Sequence, residues 1–356
     1  MFLRDDWDKI RSRYVAYWQG ELVDRCVFSA IAPKEPNASF VYPEIPEERV
    51  RWWTDGEYIL EKNLEVFEKQ YFAGDAYPII NLNLGAAGHA GFFEGADYSL
   101  TANNPTVWFQ PSLQNLDDLR FDENSLLYRK TIENARFLAS ESRGRFVVSV
   151  PDCSGDMDAL SLLRGSEQLL VDMVEDPEAV KLALSKIHEV WEHMVDVVLP
   201  VLSIANDGGN AIGWLRVFAP GRHMQLQADM SVMISPDQFK EFIVPEFVRA
   251  CAVQDYPLYH LDGQEQLRHL EHLLSVPGLA AIQWTPVAGQ PPTSAFLPQL
   301  KYIQQRGKRL VLLIRPDEIE TVMATLSSKG LYLSVYVENQ EEADYTVKLV
   351  EKYTHD

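Results

Sequence analysis

The chain has 356 residues, of which 46% are hydrophobic, so it can bury a large core and has the length of one decorated α/β barrel. Its 52 acidic and 32 basic residues give a formal net charge of −20, which disfavours a nucleic-acid partner. The sequence has no apolar run of about 18 residues and no apolar leader segment, so we expect neither a membrane span nor secretion. Three widely spaced cysteines (Cys26, Cys153 and Cys251) form no CxxC pair and fit a reducing, cytoplasmic compartment.

Short apolar runs recur along the chain, and each is followed by a loop and an amphipathic helix. Several runs are continuously apolar, which is typical of parallel strands that helices cover. The predicted strands are Cys26–Ala30, Pro78–Leu82, Phe146–Val150, Trp214–Phe218 or Met224–Ala228, Leu258–Leu261, Ala280–Trp284, Leu310–Ile314 and Leu331–Val335.

Helix starts are marked between the later runs. Asp176 precedes Pro177, which suits an N-cap followed by proline at the first helical position. Residues 235–238 have the pattern of a capping box, in which a serine side chain and a glutamine side chain satisfy each other's backbone N–H groups. Further helices are predicted to begin at Pro316 and Asn339.

The alternation of about eight strands with helices predicts one α/β domain over residues 1–356, closed into a TIM (β/α)8-type barrel. A doubly wound open sheet is the alternative, and a glycine-rich phosphate turn after the first strand would favour it; residues 30–34 contain no glycine. Residues 1–25 and 35–75 exceed a minimal barrel. We expect this N-terminal decoration, within residues 1–75, to be helical and to cap one end of the barrel or join a homodimer.

The strand that ends Tyr259-His260-Leu261-Asp262-Gly263 is the first candidate for the site, because barrel enzymes carry their chemistry at the carboxyl ends of the strands. His260 and Asp262 lie two positions apart, so both side chains point to one face of an extended chain. Such a pair can bind a divalent metal or share a proton. The alternative is a histidine that is hydrogen-bonded within the core.

Other polar and aromatic residues fall at or near predicted strand ends. Each has a structural alternative: helix capping for the aspartates, turn formation for the asparagines, core packing for the aromatics and a surface ion pair for the arginine. Asp229 is assigned a catalytic role beside His260 and Asp262. The candidates for substrate binding are Asn81, Asn83, Trp108, Phe109, Asp152, Asp156, Gln227, Trp284, Arg315 and Tyr336.

Four segments together resemble the uroporphyrinogen decarboxylase superfamily: residues 155–176, residues 235–245, Gly307-Lys308 and Lys329-Gly330-Leu331. The resemblance covers about residues 140–350 and implies a TIM-type barrel. One branch of the superfamily decarboxylates uroporphyrinogen without a cofactor. The other transfers methyl groups to or from a corrinoid or a thiol, usually through zinc.

The decarboxylase branch carries an arginine-rich N-terminal segment and an aspartate after the second strand. The corresponding segment here, Ala16–Arg25, has a single arginine, and Asn81-Leu82-Asn83 stands at the strand end. The resemblance therefore disfavours uroporphyrinogen as the substrate.

The zinc methyltransferases carry His-x-Cys at a strand end and a later cysteine. Here the first motif reads His260-Leu261-Asp262, and the last strand is followed by Glu338 rather than a cysteine. The resemblance thus implies a metal site of His260, Asp262 and Glu338, with zinc or another divalent ion.

Three functional hypotheses follow. The first is methyl transfer from a small methylated compound to a corrinoid carried by a partner protein, with Trp284 and Tyr336 stacking on substrate or corrinoid. The second is a cofactor-free decarboxylase or lyase that acts on a small acid. The third is a non-catalytic barrel that binds a corrinoid or tetrapyrrole.

Overall fold

The computed structural model describes residues 4–35, 42–103 and 105–356. Its main sheet has seven strands, six of which run parallel, while β2 joins β1 antiparallel at one edge. The strands are β1 (Val27–Pro33), β2 (Gln70–Gly74), β3 (Ile79–Ile80), β4 (Asp97–Ser99), β5 (Trp108–Gln110), β6 (Val147–Val148), β7 (Asn210–Ile212), β8 (Val217–Ala219), β9 (Gln225–Leu226), β10 (Leu258–Asp262), β11 (Ala281–Thr285), β12 (Arg309–Ile314) and β13 (Leu331–Val335).

The strand order β2-β1-β13-β12-β11-β10-β9 confirms the predicted α/β class with a mostly parallel sheet. A second parallel ribbon pairs β3 with β6 and reaches β7 through a bridge between Val150 and Ile212. Among the described residues, the strand pairings do not close these two pieces into a ring, because β2 and β9 remain the edges of the main sheet.

The two alternatives for the fourth predicted strand both contribute. Val217–Ala219 pairs antiparallel with β7, whereas Gln225–Leu226 joins the main sheet beside β10. The predicted run Trp214–Phe218 is interrupted by a tight turn at residues 213–216, where Arg216 has a φ of 56° and the chain reverses direction. Apolar runs alone do not reveal such a turn. The hairpin of β4 and β5 was not predicted either.

The helices cover the strands and begin where their capping signals stand. The side chain of Asp176 accepts from the N–H of Ala179, and the Ser235 capping box is formed. The helices are α1 (Trp7–Gln19), α2 (Pro46–Thr54), α3 (Gly56–Lys69), α4 (Leu126–Ser142), α5 (Asp156–Arg164), α6 (Ser166–Glu175), α7 (Pro177–Ala205), α8 (Pro236–Gln238), α9 (Val244–Ala252), α10 (Leu270–Ser275), α11 (Leu297–Gln305), α12 (Ile319–Thr325) and α13 (Gln340–Tyr353).

The N-terminal helix is fastened to the sheet by a buried ion network. Asp75, which is fully buried, accepts from Arg13 of α1 at 2.7 Å, from Arg25 and from the N–H of Phe28 at 3.0 Å. Trp18 of α1 also donates its indole N–H to a carbonyl of β8 at 2.8 Å. The predicted N-terminal helices therefore form, and α1 packs tightly on the sheet. Within the described chain, no helix is both long and apolar enough to span a membrane.

Candidate metal centre

Three side chains with metal-binding atoms meet beyond the carboxyl ends of β9 and β10. Asp229 begins a 3-10 turn (Asp229–Met233) just after β9, while His260 is the third-last and Asp262 the last residue of β10. One ligand atom from each lies within 4.8 Å of the other two, and Nε2 of His260 is 3.9 Å from a carboxylate oxygen of Asp262. The predicted catalytic set of His260, Asp262 and Asp229 is thus brought together.

A glutamine on the neighbouring strand orients His260. The parallel pairing of β10 and β11 sets His260 directly opposite Gln283, whose side-chain oxygen bonds Nδ1 of the imidazole. Since an amide oxygen only accepts, Nδ1 donates its proton to Gln283, and Nε2 is the ring nitrogen on the side of Asp262. Metal-binding histidines are commonly held in this way, with the second ring nitrogen donating to a fixed acceptor.

The carboxylate of Asp229 is solvent-accessible and is held by Gln227, which donates its amide N–H at 2.8 Å. Desolvation by the surrounding protein, followed by the negative charge of Asp262, raises the pKa of Asp229, while His260 opposes the rise. Two carboxylates in close proximity repel each other, and a cation between them would relieve that repulsion. Gln227, predicted to bind substrate, is buried and fixes the position of the Asp229 carboxylate.

Asp152 is a further acidic group near Asp229 and His260. It accepts a hydrogen bond from the amide of Gln225 in β9 at 2.6 Å. Burial raises its pKa to about 6, with Asp229 adding to the rise and His260 opposing it. Asp152, predicted to bind substrate, therefore lies within electrostatic reach of His260 and Asp229.

An aromatic side chain that the sequence reasoning did not select stands beside the centre. Trp214, in the turn between β7 and β8, packs its ring edge-to-face against His260 with the centroids 4.8 Å apart. It is 36% exposed, so part of the indole faces solvent next to His260. Trp214 can therefore form an apolar wall for a substrate.

A second cluster of titratable groups is buried behind the centre. Asp156 bonds Nδ1 of His188 at 2.6 Å and lies 3.6 Å from Nε2 of His89. Burial opposes ionisation of Asp156, but these histidines hold its pKa below the usual value. Asp156 also donates its backbone N–H to Glu246, whose pKa burial raises well above its ordinary value.

Asp156, predicted to bind substrate, is thus a buried residue at the start of α5, where its side chain pairs with His188 and makes no cap hydrogen bond. Asp158, two residues further along the same turn, is also buried. Burial, and then the charge of Asp229, raise the pKa of Asp158 to about 8.

The two asparagines after β3 line a cleft with Trp52, Trp53 and Asn134. Asn81 accepts from the hydroxyl of Ser149 at 3.0 Å, and Asn83 accepts from the N–H of Gly85 at 2.7 Å. The second bond is the turn interaction foreseen as the alternative. Substrate binding by both residues stays a prediction.

Trp284 is placed away from the centre. Strand alternation sends the side chains of Gln283 and Thr285 toward His260 and Asp262, so Trp284 between them faces the helices. It is fully buried and packs on Phe296 with ring centroids 4.6 Å apart. The expectation that Trp284 stacks on substrate is therefore corrected.

The remaining candidates lie at exposed or packed positions. Arg315 forms a surface ion pair with Asp317 at 3.1 Å, which is the structural alternative stated for it. Glu338 is exposed and does not belong to the cluster of Asp229, His260 and Asp262, so the structure does not support it as a ligand. Phe109 is buried against Tyr98, whereas Trp108 and Tyr336 are exposed and their roles stay predictions.

Neither a family model nor a curated protein matches the sequence. Among solved structures, the chain is similar to a methyltransferase from Methanosarcina mazei, with a TM-score of 0.64 and 12% sequence identity. The match covers 97% of this chain and 98% of that chain. At this identity the likeness shows a shared fold along the whole chain.

Proposed function

We propose that the chain is a metal-dependent methyltransferase of the uroporphyrinogen decarboxylase superfamily, with a TIM-type barrel in which Asp229, His260 and Asp262 hold a divalent ion. The observation that carries the proposal is that one ligand atom from each of these three residues converges on the same point. Nδ1 of His260 is already hydrogen-bonded to Gln283, so Nε2 is the nitrogen left for the ion. The structural likeness to a protein named methyltransferase supports the same reaction class.

The donor set fits a catalytic ion. Catalytic zinc sites use three protein ligands and keep one position open, and an oxygen-rich set suits zinc or a harder divalent ion. Asp229 is exposed and Asp262 is half-buried, so the centre is open to a small molecule. A bound divalent ion would act as a Lewis acid on the heteroatom from which the methyl group departs.

The protein residues position that substrate and handle its proton. Trp214 limits the space beside His260 and excludes water from one side of it. Asp152, with a pKa of about 6, can give a proton to the demethylated heteroatom. We propose a small methylated ether or amine as the donor, a corrinoid on a partner protein as the acceptor, and a homodimer as the assembly.

A cofactor-free decarboxylase or lyase for a small acid is the second candidate, because Asp152 is a carboxyl poised to exchange a proton near neutrality. Uroporphyrinogen itself remains disfavoured. Arg25, the single arginine of the segment that would clamp its carboxylates, is buried against Asp75.

The test combines metal content with turnover. Protein purified without chelator is analysed for bound metal and then assayed with methyl ethers and methylamines, with the visible spectrum of cobalamin reporting methylation. We expect one divalent ion per chain, and we expect His260→Ala to lose both the ion and turnover. His355→Ala, which removes an exposed histidine near the C-terminus, is the matched control. A chain without affinity for zinc or cobalt would refute the proposal and favour the metal-free candidate.

A further inference from the structure

We infer that Asp158 is a positioning residue for the metal centre, since it holds the backbone that presents Asp229. The inference rests on the proposed metal site and assigns a role to a residue that does not touch the ion. Its basis is a pair of hydrogen bonds that link α5 to the turn after β9.

The two side-chain oxygens of Asp158 accept hydrogen bonds from two successive backbone N–H groups. One bond comes from the N–H of Asp229 and the other from that of Met230, and each is 2.8 Å long. These N–H groups stand at the start of the 3-10 turn, where the first donors of a helical turn have no partner within it. Asp158 supplies both missing acceptors at once.

Asp229 depends on this support more than the other two ligands do. His260 and Asp262 lie on β10, whose backbone is paired with β11 along its whole length. Asp229 lies beyond the end of β9, past its last ladder pair with β10. Its backbone is therefore placed by Asp158, and its side chain by Gln227.

The contact with Asp158 is built into the approach of α5 to the strand end. Gly155, just before α5, has a φ of 82°, in the region that favours glycine. A Cβ atom there would lie 2.5 Å from a carboxylate oxygen of Asp158 and 3.0 Å from the carbonyl oxygen of Gln227. The close approach therefore requires a glycine, and a side chain at this position would push the Asp158 carboxylate away from its two donors.

The test measures the affinity of the purified chain for Zn²⁺ and Co²⁺ by competition with a chelating dye. In Asp158→Asn, the amide keeps one acceptor and turns its NH2 toward a backbone N–H. Loss of an outer-shell contact of this kind weakens metal binding by about 10–100-fold. We expect that loss, together with a changed visible spectrum of bound Co²⁺, which reports ligand geometry and would not respond to a general loss of stability.

Asp156→Asn is the matched control. It removes a buried carboxylate from the same turn of α5, but this carboxylate faces His188 and not the metal centre. We expect it to lower stability and to leave the Zn²⁺ affinity within about twofold of wild type, well inside the 10–100-fold loss that marks an outer-shell contact. Gly155→Ala is a second route, since it displaces the Asp158 carboxylate without removing it.

Wild-type affinity and an unchanged Co²⁺ spectrum in folded Asp158→Asn would overturn the inference. If that variant does not fold, wild-type affinity in Gly155→Ala would overturn it. Failure of the wild-type chain itself to bind either ion would instead refute the proposed function, so the two failures are distinguished by which protein shows them.

Discussion

Replacing Gln283 by leucine tests the proposed role of His260 as a ligand with one fixed nitrogen. The side-chain oxygen of Gln283 is the partner of Nδ1, and both residues are buried. Leucine has a similar volume, so the packing between β10 and β11 is kept while the acceptor is lost. The imidazole is then free to rotate and is left with a buried N–H that has lost its partner.

The expected size of the effect has two parts. An unsatisfied buried donor costs about 1–3 kcal/mol in the free energy of unfolding. Metal affinity falls by about 10–100-fold because the ring is no longer held with Nε2 toward Asp262. The second part is measured by Zn²⁺ competition and the first by urea denaturation of the metal-free chain.

Two control variants separate the bond to His260 from general effects at Gln283. Gln283→Glu keeps an acceptor for Nδ1, so we expect affinity equal to wild type or higher. Thr285→Val removes the other partner of Gln283, the hydroxyl that accepts its amide N–H, and should leave affinity within about threefold, since the acceptor for His260 is kept. A folded Gln283→Leu protein that binds Zn²⁺ with wild-type affinity would refute the assignment of His260 as an oriented ligand.

Three further results are expected. Asp75→Asn should lower the free energy of unfolding by about 3–5 kcal/mol in urea, because Arg13 and Arg25 lose their buried partner; a change below about 1 kcal/mol would show that the network is not coupled to stability. The raised pKa of Asp152 means that the folded chain binds its proton more tightly than the unfolded chain, so the contribution of Asp152 to stability should fall as pH rises from 3.8 to about 6. Asp152→Asn should flatten that part of the pH profile, and a profile parallel to wild type would contradict the assigned pKa. Glu338→Gln should leave Zn²⁺ affinity unchanged in a calorimetric titration, because Glu338 is exposed and outside the cluster; a loss of about tenfold or more would restore it as a ligand.

Local sequence patterns were sufficient to predict the α/β fold class and to place His260 and Asp262 together in the candidate site. Continuous apolar runs predicted the parallel strands, and caps such as Asp176 and Ser235 predicted where helices begin. The two-residue period of a strand was enough to place His260 and Asp262 on one face. These features depend only on neighbours along the chain.

The rest of the site required contacts between distant segments. Gln283 meets His260 only through the register of two parallel strands, and Asp158 meets Asp229 across 71 positions. The same register turns Trp284 away from the centre, although its sequence position next to a strand end looked favourable. Strand alternation predicts that neighbouring side chains point to opposite faces of the sheet. Which face carries the candidate site depends on how the helices pack. Local patterns were thus enough for most of the parallel strands and for the pair His260 and Asp262, whereas the place of Asp229 beside them and the groups that orient all three depend on tertiary contacts, because hydrogen-bond partners across a sheet are set by register and close packing rather than by spacing along the chain.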